Sequence, residues 1–494
     1  MFNQLLRLAK HSIVYGLGAA ATSIVSFFLL PMYTRFLSPA DYGILAIFNA
    51  TISVMYVISY LGLGASLLQF YVEADNEQEK KEILSTVFIF LTAINLIICI
   101  VPMVFAKEIS QLVFHSNLYT THFRVMFLTI FFDVGVYIAL SIFRAKQKSV
   151  NYIAVSLVRL VMTTFLNVLL LGVLHQGVLG VLEATLISLI VLYAVLIASL
   201  IKDMKLQLSI TKLKKMLLFG LPFVPADLAD WLLSLADRYF LQFLSTSQQL
   251  GLYSLGYTFG SMIGTLITAP LALVWQPFLI SIAKNKDAKQ IYASTFTYFL
   301  LVGVFVFLGL SLLSQEVIHA MTTSPFYDAY KVVPLVALAF LLEGCYLVFE
   351  GGIFLVKKTQ YIPLVMGMAT VVNLALNYFL DRRFGMEGAA IALVISYATM
   401  PIAMFFISRK LYPVPYEFDR VFKIIIAAVP IYVGGIFIKN HSVLIDGLLR
   451  LAICLTYPIL LYSIKFYKSE ELVKVKIIYV NVLGLIREWR IKHL

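Results

Sequence analysis

The sequence predicts an all-α polytopic membrane protein of about fourteen transmembrane helices, arranged as two six-helix repeats plus two extra helices. Three observations predict it. First, 61% of the 494 residues are hydrophobic and only 13% are charged, with a mean hydropathy of +0.92; a soluble domain of this length does not have that composition. Second, the apolar residues come in runs of about 20 or more, the length an α-helix needs to cross a bilayer. Third, segments about 208 residues apart match each other. Nothing shows the alternating ten-residue pattern of a membrane barrel, so the spans are helices that satisfy their own backbone hydrogen bonds.

Hydropathy places the spans at about 12–34, 42–68, 83–106, 124–143, 150–173, 177–201, 215–242, 251–281, 292–315, 331–356, 360–380, 386–408, 420–439 and 444–466. Arg7 and Lys10 precede the first span, which stays apolar through Leu30, beyond a signal-peptide core; it reads as a retained helix. Of the 38 Lys and Arg, 28 fall in the segments on the side of the N-terminus and 9 on the other side or at helix ends; Arg159 stands inside a span. This bias puts both termini in the cytoplasm. The cations cluster in short loops without interleaved aromatics, so nucleic acid is not an expected partner despite the net charge of +12. Cys99, Cys345 and Cys454 lie in apolar runs and read as core residues.

The repeat organises the chain. Gly177-x-x-Gly180-x-x-x-Ala184-x-x-Ile187-Ser188 returns as Gly385-x-x-Gly388-x-x-x-Ala392-x-x-Ile395-Ser396. Phe36-Leu37-Ser38 with Gly43 returns as Phe243-Leu244-Ser245 with Gly251, and Leu166-Asn167 as Leu376-Asn377. Each copy has six spans, so the copies share one topology and are expected to be related by an axis along the membrane normal, with a substrate site between them. The expected domains are 1–206, 207–415, a pair of extra helices at 416–466, and a basic tail at 467–494 that reads as an interfacial amphipathic helix on anionic lipid. The acidic-basic segment 73–82 reads as a solvated turn.

The most informative stretch is 214–253. Charges at membrane depth are costly and persist where they face protein or water. At 100° per residue, Asp227, Asp230, Trp231, Ser234, Asp237 and Arg238 share one third of the helix circumference. That stripe either lines a lumen or packs as an internal Asp237/Arg238 pair. Gly220, Pro222 and Pro225 can bend the span. The fifth span has a stripe of Ser156, Arg159, Thr163 and Asn167; a guanidinium suits a pyrophosphate, which it holds bidentately. The alternative for Arg159 is an ion pair with Asp133, Glu183 or an acid of the seventh span. The tenth span offers Glu343, Tyr346 and Glu350, the eleventh Thr370, Asn373 and Asn377, and the second Asn49, Ser53 and Tyr56. Hydroxyls, amides and tyrosines suit a sugar. Candidate substrate contacts are thus Arg159, Asn167, Asp237, Arg238, Glu343, Tyr346, Asn373 and Asn377. Asp227 and Asp230 are candidates for H⁺ or Na⁺ coupling, against the alternative of helix-to-helix hydrogen bonding. Glu73, Asp75, Glu108, Glu316, Asp328, Arg382 and Arg383 read as solvent-facing loop charges. No Walker loop, metal spacing or catalytic triad is present, so no cofactor is expected beyond a coupling ion.

The run Arg35-Phe-Leu-Ser-Pro-Ala-Asp-Tyr-Gly43 resembles the R-x-L-G-P-x-x-Y-G element of polysaccharide flippases. Gly220-Leu-Pro222, Asp237-Arg238-Tyr239 and Leu250-Gly-Leu-Tyr253 resemble that family's element between its seventh and eighth helices. Ser38 stands where the family usually has Gly. The resemblance covers about 1–465 and points to the polysaccharide transporter (Wzx-like) branch of the multidrug/oligosaccharidyl-lipid/polysaccharide exporter superfamily. It implies a V-shaped bundle of two six-helix lobes in a bacterial inner membrane. It also implies alternating-access transport of an undecaprenyl pyrophosphate-linked oligosaccharide to the outer leaflet for O-antigen or capsule, commonly ion-coupled. Implied partners are the lipid-linked oligosaccharide, membrane lipids, and the polysaccharide polymerase and glycosyltransferases of the same pathway. The rivals are a multidrug antiporter of the same superfamily and a flippase for the peptidoglycan precursor. A membrane glycosyltransferase is disfavoured by the short outside loop at 107–123.

Overall fold

The computed structural model describes residues 27, 29–146, 148–200, 204–205, 207–439, 442–471 and 473. Among them every regular element is a helix. Eleven are long and apolar enough to cross a membrane, or up to twelve if a bent pair counts as one span. The number differs from fourteen for definite reasons. The first expected span lies mostly outside the described residues, which begin that region with α1 (Leu30–Phe36). The thirteenth is a 19-residue helix carrying Asp419, Arg420 and Lys423 in its first turns, too charged there to count by composition. The expected tail at 467–494 lies almost entirely outside the described residues.

The second span is α2 (Pro39–Tyr60) and α3 (Leu63–Glu73). Its start is written in the sequence: the Ser38 side chain accepts from the Asp41 amide while the Asp41 carboxylate accepts from the Ser38 amide, with Pro39 at the first turn. Leu61 and Gly62 both take left-handed backbone conformations and break the helix. Then follow α4 (Glu77–Val104), α5 (Ala106–Phe114), α6 (Thr120–Ala145), α7 (Ser149–Asn167) with a π-helical continuation, and α8 (Gly177–Leu200). The 107–123 segment is therefore mostly helical. The seventh span is broken into α9 (Ile210–Gly220), α10 (Phe223–Leu235) and α11 (Asp237–Leu244), with a 40° bend at Leu221–Pro222, where proline removes a backbone donor. The rest comprises α12 (Ser247–Gly260), α13 (Ala269–Ile282) after a π turn that precedes Pro270, α14 (Ala288–Met321), α15 (Val333–Leu355), α16 (Tyr361–Phe384), α17 (Met386–Leu411), α18 (Phe418–Ile436), α19 (Val443–Leu455) and α20 (Tyr457–Ser463).

The repeat has the same structural reason in both copies. Gly177 and Gly385 each take positive φ, at 59° and 55°, and open α8 and α17. A Cβ on Gly180 would meet the Leu170 carbonyl oxygen at 3.2 Å, and one on Gly388 would run into Leu380. Ala184 and Ala392, and Ser188 and Ser396, are all fully buried. Packing, however, cuts across the repeat boundary at 206/207. One compact unit holds the described residues through Thr258 with Ile318–Val332 and Pro363–Ser396; the other holds Phe259–Val317, Val333–Ile362 and the chain from Tyr397 onward. In the first unit, Met216 of the second copy is fully buried in a cluster with Leu63, Leu67, Leu84, Ile142 and Leu189 of the first.

Several loop charges are tied down. Lys212 bonds Glu79 and Glu82 at 3.1 and 2.9 Å, so the 73–82 segment is a docking point for α9 rather than a free turn. Glu316 is not solvent-facing: it pairs with Arg450 at 2.6 Å.

Candidate functional site

In the first unit, α7 turns its polar face inward. Arg159 Nη2 lies 2.8 Å from Asp133 Oδ1 on α6. The other carboxylate oxygen of Asp133 accepts from the Tyr60 hydroxyl at 2.8 Å. Tyr56, Tyr60 and Tyr137 form a continuous aromatic stack beside this pair, with centroids 5.4 and 3.8 Å apart and planes within 11°. Asp133 is nearly fully buried, yet Arg159 keeps 34% of its side chain accessible. The guanidinium is therefore anchored by Asp133, with Tyr56 as a second hydrogen-bonding neighbour, while part of the side chain stays accessible. Of the rest of that stripe, Thr163 bonds Ser188 at 2.8 Å, while Asn167 is 1% exposed with no partner for its Oδ1. Tyr60 and Tyr137 escaped the sequence reading; the Tyr56/Tyr60 spacing of four was the available signal.

The stripe of the seventh span divides in two. Asp227 and Asp230 on α10 are exposed, one turn apart. Trp231 donates to the Ala50 carbonyl of α2 at 3.0 Å, and Tyr239 bonds Thr51 at 2.6 Å. Asp237 and Arg238 turn away from water: they pair with each other at 2.9 Å and are 1% and 9% exposed at the side chain. Tyr253 bonds Asp237, and the Arg238 guanidinium lies 4.4 Å from the Tyr257 ring centre. The stripe thus parts into accessible acids on α10 and a buried Asp237–Arg238 pair at the start of α11.

On α16, Asn373 and Asn377 are fully buried rather than open to a lumen, and they bond each other at 2.8 Å. One turn on, Asp381 is 1% exposed, and neither carboxylate oxygen has a partner. Asp237 is within electrostatic reach of it, and Asn377 Oδ1 is also unpartnered. Asp237 is already held by Arg238 and Tyr253, so the unpaired buried carboxylate here is that of Asp381. Sequence reading named Asp237 and Asn377 but passed over Asp381, which closes the stripe Asn373, Asn377, Asp381 at a spacing of four. In the second unit, α15 carries Glu343, half-buried, with Tyr346 and Glu350 buried one above the other.

The family described as "Polysaccharide biosynthesis protein" matches residues 32–347, well over half of this chain. The chain belongs to that family. A Haemophilus influenzae protein of the Lsg locus is 22% identical over 379 residues, covering 75% of this chain and 90% of its own. Among solved structures, "Lipid II flippase MurJ, inward closed conformation" superposes with a TM-score of 0.73 at 17% identity, over 92% of this chain and all of that one. An inward-facing multidrug MATE transporter of the MOP superfamily superposes at 0.60 and 15% identity, over 78% of this chain and 94% of its own. This member of the polysaccharide biosynthesis family therefore has the fold of the MurJ and MATE transporters, and it is a multi-pass membrane protein.

Proposed function

We propose that this protein flips an undecaprenyl pyrophosphate-linked oligosaccharide from the cytoplasmic to the outer leaflet of a bacterial inner membrane by alternating access, with both termini cytoplasmic. The observation that carries the reading is Arg159: a guanidinium inside a span, held by Asp133, with a third of its side chain accessible, next to three stacked tyrosines. The guanidinium of Arg159 suits the pyrophosphate, and tyrosine faces suit a sugar. Asp227 and Asp230 are accessible on α10. They would repel a pyrophosphate and favour its docking at Arg159.

Coupling to H⁺ or Na⁺ is assigned first to Asp381, whose buried carboxylate has no partner and would take up a proton or a cation, with Asp237 in electrostatic reach and Asn377 one turn away. Asp227 and Asp230, wet and exposed, form the second candidate. Polysaccharide polymerase and glycosyltransferases are the proposed partners before and after the flip. The deciding experiment is surface glycan display in a strain lacking this gene: Arg159→Ala abolishes it, and Arg159→Lys retains part. Full display by Arg159→Ala at normal expression removes Arg159 from the mechanism.

A further inference from the structure

Within the first unit, α2 of the first repeat is clasped by the second repeat near both of its ends. At one end, Gly43 on α2 crosses Gly251 on α12 backbone to backbone. A Cβ on Gly43 would fall on the Ser247 carbonyl oxygen and lie 2.9 Å from the Gly251 nitrogen; a Cβ on Gly251 would fall on the Pro39 carbonyl. At the other end, Gly62 crosses Gly220 at the end of α9. A Cβ on Gly62 would lie 2.9 Å from the Gly220 Cα, and one on Gly220 would lie 2.7 Å from Ser66 Oγ. Ser66 Oγ also donates to the Met216 carbonyl at 2.8 Å. The two crossings are nineteen residues apart along the chain, about 28 Å at 1.5 Å per residue, close to the thickness of a bilayer's apolar core.

The inner crossing sits where the backbone is interrupted, and the outer one lies near the start of two helices. Gly62 follows Leu61 in a left-handed break, and Gly220 precedes the 40° bend at Leu221–Pro222. Gly43 lies in the second turn of α2, just after the Ser38–Asp41 capping box, and Gly251 lies in the first turns of α12. The clasps thus use contacts that only glycine permits, at points where a helix segment can swing without unravelling the span. Gly43 and Gly251 are also repeat equivalents, so the contact is made by the same element of each copy against the other.

We propose that the Gly43–Gly251 crossing is the outer gate and the Gly62–Gly220 crossing the inner gate of the transport path, and that each open state releases one of them. This rests on the alternating-access reading above, but it makes a claim that needs no substrate. The test places a single cysteine at the exposed Asn49 of α2, in a background without Cys99, Cys345 and Cys454, and follows labelling by a membrane-impermeant maleimide from each side. Gly43→Ala or Gly251→Ala forces the outer crossing apart and accelerates labelling on intact cells. Gly220→Ala accelerates it in inside-out vesicles. The expected change is roughly tenfold on one side each, as a minor open state becomes a major one. Ser66→Ala removes one hydrogen bond of the inner clasp without added bulk; it moves labelling the same way by less, so the inner arm stays readable if Gly220→Ala misfolds. Opposite sidedness for the two gates with the sides exchanged sustains the gates and overturns the cytoplasmic placement of the termini. Equal acceleration from both sides, or none in protein that elutes as a single species, overturns the proposal. Glycan display is scored separately, so failure of the flippase reading leaves a different signature.

Discussion

Arg159 and Arg450 both lie within apolar spans of this protein, and the structure treats them in opposite ways. Arg450 on α19 is 6% exposed at the side chain. Its Nη1 reaches Glu316 at 2.6 Å, Gln315 at 3.3 Å and the Leu312 carbonyl at 3.4 Å, and its Nη2 reaches the Ile438 carbonyl at 2.8 Å. That guanidinium staples α19 to the end of α14 and has little left to offer. Arg159 has its pair with Asp133 and remains one-third open. A saturated intramembrane charge reports on architecture; an under-bonded one beside aromatic faces reports on a ligand.

The comparison breaks most directly by exchanging fates. Arg159→Ala should lower glycan export per folded molecule by about 100-fold or more, the loss expected when two charge-assisted hydrogen bonds to a pyrophosphate disappear, beyond any loss of stability from leaving Asp133 buried and unpaired. Arg450→Ala should do the reverse. It leaves Glu316 buried and unpaired, costing about 3 kcal/mol of stability, read as a lower melting temperature in detergent, while export per folded molecule stays near normal. The double change Arg450→Leu with Glu316→Leu should recover most of that loss, since the buried charge goes with its partner. Near-normal export per folded molecule in Arg159→Ala would make the two arginines alike.

The same contrast of wet and dry applies to the acids. Asp381→Asn should weaken the H⁺ or Na⁺ dependence of transport by about tenfold, the worth of roughly one charge-assisted contact. Asp227→Asn with Asp230→Asn should change apparent substrate affinity more than ion dependence, because both side chains are exposed. Ion dependence measured in proteoliposomes separates the two pairs: if the α10 double variant loses it and Asp381→Asn keeps it, the coupling site is the wet one.

How much of this could be read in the sequence follows from which physics each feature uses. Span positions, the capping box at Ser38 and the break at Gly220–Pro222 are local, and they were legible. The 208-residue repeat was legible because Gly177 and Gly385 meet the same backbone demand. Burial of a polar stripe is not local. Asp227 and Asp237 lie on one helical face in the sequence, yet the break at Ala236 and the packing of Tyr253 and Tyr257 send one to water and the other to the interior. Asp381 sits beside Arg382 and Arg383, where charge runs normally mean a loop, and only the close of α16 against the seventh span makes it buried. The pairing of Glu316 with Arg450, more than 130 residues apart, has no sequence signature. Nor does the packing of α9 onto the first copy, which divides the molecule differently from its repeat.

The smallest effect concerns a third arginine, whose surroundings resemble those of Arg450 but lie at the ends of the spans. Arg420 bonds Glu417 at 3.0 Å and Glu471 at 2.9 Å and stacks over the Phe466 ring at 4.4 Å. Lys468 and Thr297 also reach Glu417, at 2.5 and 2.8 Å, and Tyr298 reaches Glu471 at 2.6 Å. Burial alone would raise the Glu417 carboxyl, but Lys468, Thr297 and Arg420 together hold it below the usual carboxylate range. For Glu471, burial is likewise outweighed, by the Tyr298 hydroxyl, the Lys468 amide and Arg420. A carboxylate depressed in the folded state stabilises it fully above the unfolded pKa, and that contribution fades as pH falls through the folded value. The network should therefore hold at full strength above about pH 5 and weaken as pH falls through the two depressed carboxylate values. Melting temperatures of the wild type and Glu417→Gln should differ at pH 7 and converge in acid. Parallel curves across that range would mean that Arg420, unlike Arg450, is held by its aromatic and apolar neighbours rather than by its acids.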